Sequence, residues 1–118
     1  MSGIYGQYAP QGAAVYNSPA AEETKLVKSG AGLLHGLIIA NYNAAVRYVF
    51  LFDSLTATGT PICPPIPLEV AGSAGSLAAL AFPYELKFQT GLFVAASTTG
   101  NVYTASAGAD LRMTAITK

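Results

Sequence analysis

The chain has 118 residues, 52% of them hydrophobic and only 10% charged, with six Lys or Arg against six Asp or Glu. That length accommodates one core and leaves no room for a second domain. Charge at well under the ~25% usual for a free soluble domain, with no net excess, argues against a surface built for dispersal or for gripping an anionic polymer. It predicts instead that other subunits cover part of the surface, as at obligate interfaces.

Residues 1 to 23 read as an extended arm. Gly3, Gly6, Pro10, Gly12 and Pro19 interrupt them, and Tyr5, Tyr8 and Tyr16 stand on a small, polar background. Such a segment holds too little apolar surface to fold alone, but its tyrosines are adhesive points that could order on a partner. A loose terminus is the alternative reading. No Lys or Arg precedes an apolar stretch in Met1-Ser2-Gly3-Ile4-Tyr5, so no secretory signal is expected.

Residues 24 to 118 carry the alternation of strands. Lys25 to Lys28 is a weak candidate. Leu33 to Ile39 is apolar on both faces, as expected of a central strand covered by a second sheet on one side and by a neighbour on the other. In the next strand Val46, Tyr48, Phe50 and Phe52 make a strongly apolar face, backed by the mixed set Arg47, Val49, Leu51 and Asp53. Pro64, Pro65 and Pro67 forbid a regular central strand, because proline cannot donate to a ladder, so that stretch is an edge or a crossing. Leu68 to Ala71 and Leu77 to Phe82 are further weak candidates, with a short helical turn possible over Ala74 to Ala81. Tyr84, Leu86 and Phe88 alternate with Glu85 and Lys87. Gly91 to Ser97 and Leu111 to Ala115 complete the set.

Between these runs lie turn residues such as Ser29-Gly30-Ala31-Gly32, Thr58-Gly59-Thr60-Pro61 and Gly72-Ser73-Ala74-Gly75. Short strands at this spacing predict an all-β chain: an antiparallel β-sandwich, jelly-roll-like, over residues 24 to 118, with the arm attached. The longest apolar runs, Leu33 to Ala40 and Val46 to Phe52, are far short of the ~20 residues of a membrane helix, so no membrane partner is expected.

Chemistry is sparse. His35, the only histidine, lies on an apolar strand with no carboxylate or nucleophile beside it in sequence, and is read as structural. Cys63, the only cysteine, lacks neighbours that would activate a thiol and has no cysteine with which to form an intrachain disulfide. Glu22, Glu23, Asp53, Glu69, Glu85 and Asp110 propose no catalytic pair and no metal cage. Gly30, Gly32 and Gly36 lack the lysine and the helix of a phosphate loop. The basic residues are dispersed and balanced, so no nucleic-acid partner is expected. Neither catalytic residues, nor a cofactor, nor a metal are expected; the chain reads as a non-enzymatic protein.

The segments Lys28-Ser29-Gly30-Ala31-Gly32-Leu33-Leu34-His35-Gly36-Leu37, Val49 to Ser54, Gly59-Thr60-Pro61-Ile62 and Phe88 to Ala95, taken in order, resemble small virion structural proteins of tailed bacteriophages over roughly residues 25 to 117. The resemblance implies a β-sandwich in many copies on a particle made in the host cytoplasm. It would serve as a capsid decoration (cement) protein, or else as a neck or tail component. The partners implied are further copies of itself, as in a trimer or other homo-oligomer, and virion proteins such as the major capsid protein. A host-surface glycan-binding β-sandwich is a further alternative. Tyr5, Tyr8 and Tyr16 are the candidate partner-binding residues, and the arm lies outside the resemblance.

Overall fold

The alternation along residues 24 to 118 resolves into two four-stranded antiparallel sheets packed face to face, as seen in a computed structural model that describes residues 12–118. The strands are β1 Ala14–Asn17, β2 Thr24–Ser29, β3 Gly32–Asn41, β4 Arg47–Asp53, β5 Ile66–Leu68, β6 Leu77–Phe88, β7 Gly91–Ser97 and β8 Leu111–Thr117. The first sheet has the order β1-β8-β3-β6 and the second the order β2-β7-β4-β5. The pairings β1 with β8, β2 with β7, β3 with β6 and β4 with β5 are nested, like the rungs of one long hairpin turned at β4–β5 and wound over itself. The protein is a β-sandwich. Among the described residues no helix is long and apolar enough to cross a membrane.

One continuous core fills the space between the sheets. Leu34, Leu37 and Ile39 of β3 and Met113 and Ala115 of β8 meet Val49 and Leu51 of β4 and Leu92 and Val94 of β7, all nearly sealed from solvent. β3 is central, as its apolar composition predicts. β5 is an edge strand three residues long that carries Pro67, in keeping with the missing proline donor.

Three elements differ from expectation. The aromatic face of β4 does not point into the sandwich: Val49 and Leu51 do, and Phe50 and Phe52 belong to a separate cluster on the outside of the second sheet. Periodicity reports that a face is covered, not what covers it. The two candidate segments at Leu77–Phe82 and Tyr84–Phe88 are a single strand, β6, preceded by a 3₁₀ turn at Ala74–Ser76. Lastly, the first sheet takes in residues before 24, because Ala14–Asn17 pairs in register with β8 from Thr117 to Thr114. Only four residues long, β1 is too short for alternation to announce it.

The β6–β7 turn is held by a carboxylate. Asp53, at the end of β4, accepts hydrogen bonds from the amides of Thr90 at 2.8 Å and Gln89 at 3.0 Å, with a longer one from Gly91 at 3.4 Å. Gly91 must be glycine, since a Cβ would lie 2.9 Å from the Lys28 carbonyl oxygen and 3.1 Å from that of Ser54. The Thr90 and Gln89 amides hold the Asp53 carboxyl below its ordinary value, against a smaller opposing effect of desolvation. Its contribution to stability is therefore full above the unfolded-state value of about 4 and fades as the pH falls through the lower folded-state value. In urea titrations the gap in stability between wild type and Asp53→Asn is expected to be constant above about pH 5 and to shrink at more acid pH. A gap independent of pH would show that the carboxylate charge is not what holds the turn. In the core, Leu51→Ala is expected to cost about 2–5 kcal/mol in the same assay.

Candidate functional site

The two outer faces of the sandwich are treated differently by the chain. On the second sheet, Phe50 and Phe52 of β4 stack with ring centroids 5.9 Å apart. Tyr103, from the segment joining β7 to β8, caps both, its ring edge-on at 5.6 Å from each. Several anchors hold that segment down: the Ser106 amide donates to the Ala96 carbonyl, and Ser97 Oγ both donates to the Thr99 carbonyl and accepts from the Thr104 amide. At its far end Asp110 accepts from Arg47 Nε at 2.8 Å and from Asn43 Nδ2 at 2.9 Å. Burial pushes the Asp110 carboxyl up, but hydrogen bonds from Arg47, Asn43 and Ser106 outweigh it and hold the group below its ordinary value. This face is thus roofed by the protein's own chain.

Among the described residues, nothing roofs the outer face of the first sheet in this way. Its outward residues form rows across β1, β8, β3 and β6: Val15, Ile116, Gly36 and Ala81, then Asn17, Thr114, Ile38 and Ala79. Neither row contains a charge. Val15 is 61% exposed, Ile38 47%, and Leu77, in the row beyond, 55%. A groove of about 290 Å³ lies over Gly36, walled by Ile38, Ile116, Ala79 and Ala81. A second depression, of about 180 Å³, opens on the other side of Ile38, bounded by Ala40, Asn17, Thr114 and the charged Arg112. Ile38 is the ridge between them.

Gly36 is unusual for the middle of a strand. Its backbone does not require glycine: φ is not positive, and a Cβ would find only ordinary contacts, at 3.5 Å from the Leu80 carbonyl oxygen and 3.9 Å from Ile116 Cδ1. A glycine here costs roughly 0.5–1 kcal/mol of strand stability for no gain within the fold, and such positions often mark the close approach of another group.

His35 stands at the rim. The step from Leu34 to Gly36 on β3 faces the step from Leu86 to Ala81 on β6, so β6 bulges outward over residues 82 to 85. Across that bulge His35 Nδ1 lies 3.2 Å from Glu85 Oε2. The sequence places no carboxylate near His35, because its partner is fifty positions away and joins it only through the bulge. The neighbouring Thr114 hydroxyl is already donated to Asn17 Oδ1 at 2.8 Å. Among the described residues no three His, Cys, Asp or Glu side chains converge as a metal site requires. Cys63 is half-buried against the core, and burial pushes its thiol up, away from the reactive thiolate.

Of the three candidate partner-binding tyrosines, Tyr5 and Tyr8 lie outside the described residues. Tyr16, on β1, packs against the edge of the core, donates its hydroxyl to Glu22 and carries the Lys25 ammonium 4.7 Å from its ring centre. The open face is formed by residues of the other parity on β1, which strand alternation alone does not single out. No family model, curated protein or solved structure matches the chain.

If the roof of the second sheet is structural, Tyr103→Ala will lower the unfolding free energy by about 1–3 kcal/mol and raise the fluorescence of a hydrophobic dye as Phe50 and Phe52 are uncovered. Unchanged stability and dye binding would mean that Tyr103 is no part of the roof.

Proposed function

We propose that the protein is a non-enzymatic structural subunit that works by binding other subunits. The observation that carries this reading is the outer face of the first sheet, left unroofed among the described residues, apolar and without charge in its two central rows, on a chain that roofs the opposite face with its own residues. Monomeric proteins rarely leave contiguous apolar surface of this kind uncovered. The low overall charge and the glycine at the centre of β3 support the same conclusion.

The resemblance to small virion proteins of tailed phages supplies the setting: a capsid decoration protein, with further copies of itself and the major capsid protein as partners. The nested winding, which we read as jelly-roll-like, is an architecture frequent in capsid and lectin domains; that support is fold-level analogy. A neck or tail position draws on the same features. Cryo-electron microscopy of intact particles tests the reading. Copies at regular positions on the head lattice, with the first sheet's outer face against a neighbour, are expected. A ring of few copies would move the protein to the neck or tail, and its absence from particles would end the virion reading.

A further inference from the structure

We infer that the outer face of the first sheet pairs with the same face of a second copy, with each Ile38 seated in the other copy's groove over Gly36. The inference deepens the assembly reading above and rests on it. Charge is the first reason for choosing a copy of itself as the occupant. With neither sign present in the rows of Val15 and Asn17, the centre of the face meets its copy without like-charge repulsion; the charge at its margin is Arg112, beside Ala40, whose guanidinium donates to the Ser18 carbonyl. Area is the second. Three strands contributing about six residues each and β1 its four, at a strand spacing of ~4.8 Å and ~3.4 Å per residue, give a face of roughly 360 Å² in projection. Pairing two such faces buries on the order of 1,000 Å² of accessible surface, about the least that a specific interface needs.

Shape is the third reason. In a two-fold pair every contact occurs twice, so a ridge must have a matching groove on the same surface. Here ridge and groove are neighbours on one strand: Ile38 projects, and two positions away Gly36 recedes. A two-fold axis lying in the interface, midway between these positions, sets each ridge into the opposite groove. Gly36 then has the role its backbone does not explain, because a side chain at this position would fill the space that Ile38 of the second copy occupies.

The arrangement makes a specific demand on paired substitutions. In the full chain, studied by sedimentation equilibrium, Ile38→Ala and Gly36→Ile should each weaken the dimer by roughly tenfold or more, the first by removing the ridge and the second by filling the groove. The double variant restores ridge against groove in the same symmetry, and should bring the dissociation constant back to within a few-fold of wild type. Thermal unfolding checks that each variant is folded. If either single variant is not, Thr114→Arg, facing outward on β8, must still split the dimer, because the same axis sets residue 114 against Ile116 of the second copy and would bury an unpaired cation there. A wild-type chain that stays monomeric up to about 1 mM overturns the proposal, as does a dimer indifferent to all three changes. A monomer in solution that is nonetheless found on particles would sink the self-pairing and leave the assembly reading standing. A dimer absent from particles would keep the pairing and remove its virion setting.

Discussion

The structure depends on a single interior shared by two sheets, and on β3 having to supply it. Leu34, Leu37 and Ile39 are sealed against β4 and β7, yet the same strand also carries Ile38 on its other side. A strand with apolar residues on both faces needs two covers. The second sheet is one of them, and its burial of whole leucine and valine side chains, at roughly 25 cal/mol per Å², outweighs any other favourable contribution in a chain this poor in ion pairs. The second cover is not supplied by any described segment of the chain. That missing cover sets the direction of every functional argument about this protein.

The contrast with the second sheet rests on polar groups. Phe50 and Phe52 are as apolar as anything on β3, but the segment after β7 is pinned over them at both ends. Ser97 anchors one end, and the buried pair Arg47–Asp110 with Asn43 anchors the other. Asn41 extends the same network, its side chain donating to the carbonyls of Ala45 and Glu69 and so tying the β3–β4 turn to the segment after β5. A buried ion pair adds little net stability over an apolar substitute, but breaking it is costly, so it fixes one geometry. Here that geometry is the roof. No equivalent anchor brings any described segment over Gly36 and Ile38.

Strand positions were largely legible in the sequence, because alternation and turn chemistry are local. Residues 91 to 97 and 111 to 117 are strands for the reason their patterns suggest, and the prolines around Pro67 correctly demote β5 to an edge. What alternation cannot report is the identity of a cover. The aromatic face of β4 looks like core from sequence and is instead the floor under Tyr103, while the less aromatic face, Val49 and Leu51, fills the sandwich. The His35–Glu85 contact was invisible for a related reason: it depends on a bulge in β6 that no local pattern encodes. The open face itself was half legible. Its apolar character shows in Leu33 to Ile39, but its partners in the rows, Val15, Ala79 and Ala81, come from a strand too short to detect and from a run of alanines that could as well have been helical.

The edges of both sheets show where association is not directed. An unpaired strand edge is the usual route to uncontrolled growth, and proteins blunt it with short strands, prolines, lysines and bulges. Each of the four edges here carries such a device. β1 is four residues long, β5 has three residues and Pro67, β2 bears Lys25 and Lys28 around a register shift, and β6 bulges at residues 82 to 85, where Pro83 offers no amide. Lateral pairing is thereby discouraged on every side, while the flat outer face of the first sheet is left without a single guarding charge in its central rows. Adhesion is confined to a surface that closes once it is covered, because a stacked face presents no new edge to the next subunit. A chain with almost no net charge can tolerate so sticky a patch only under that condition, since otherwise nothing else on its surface would keep copies apart.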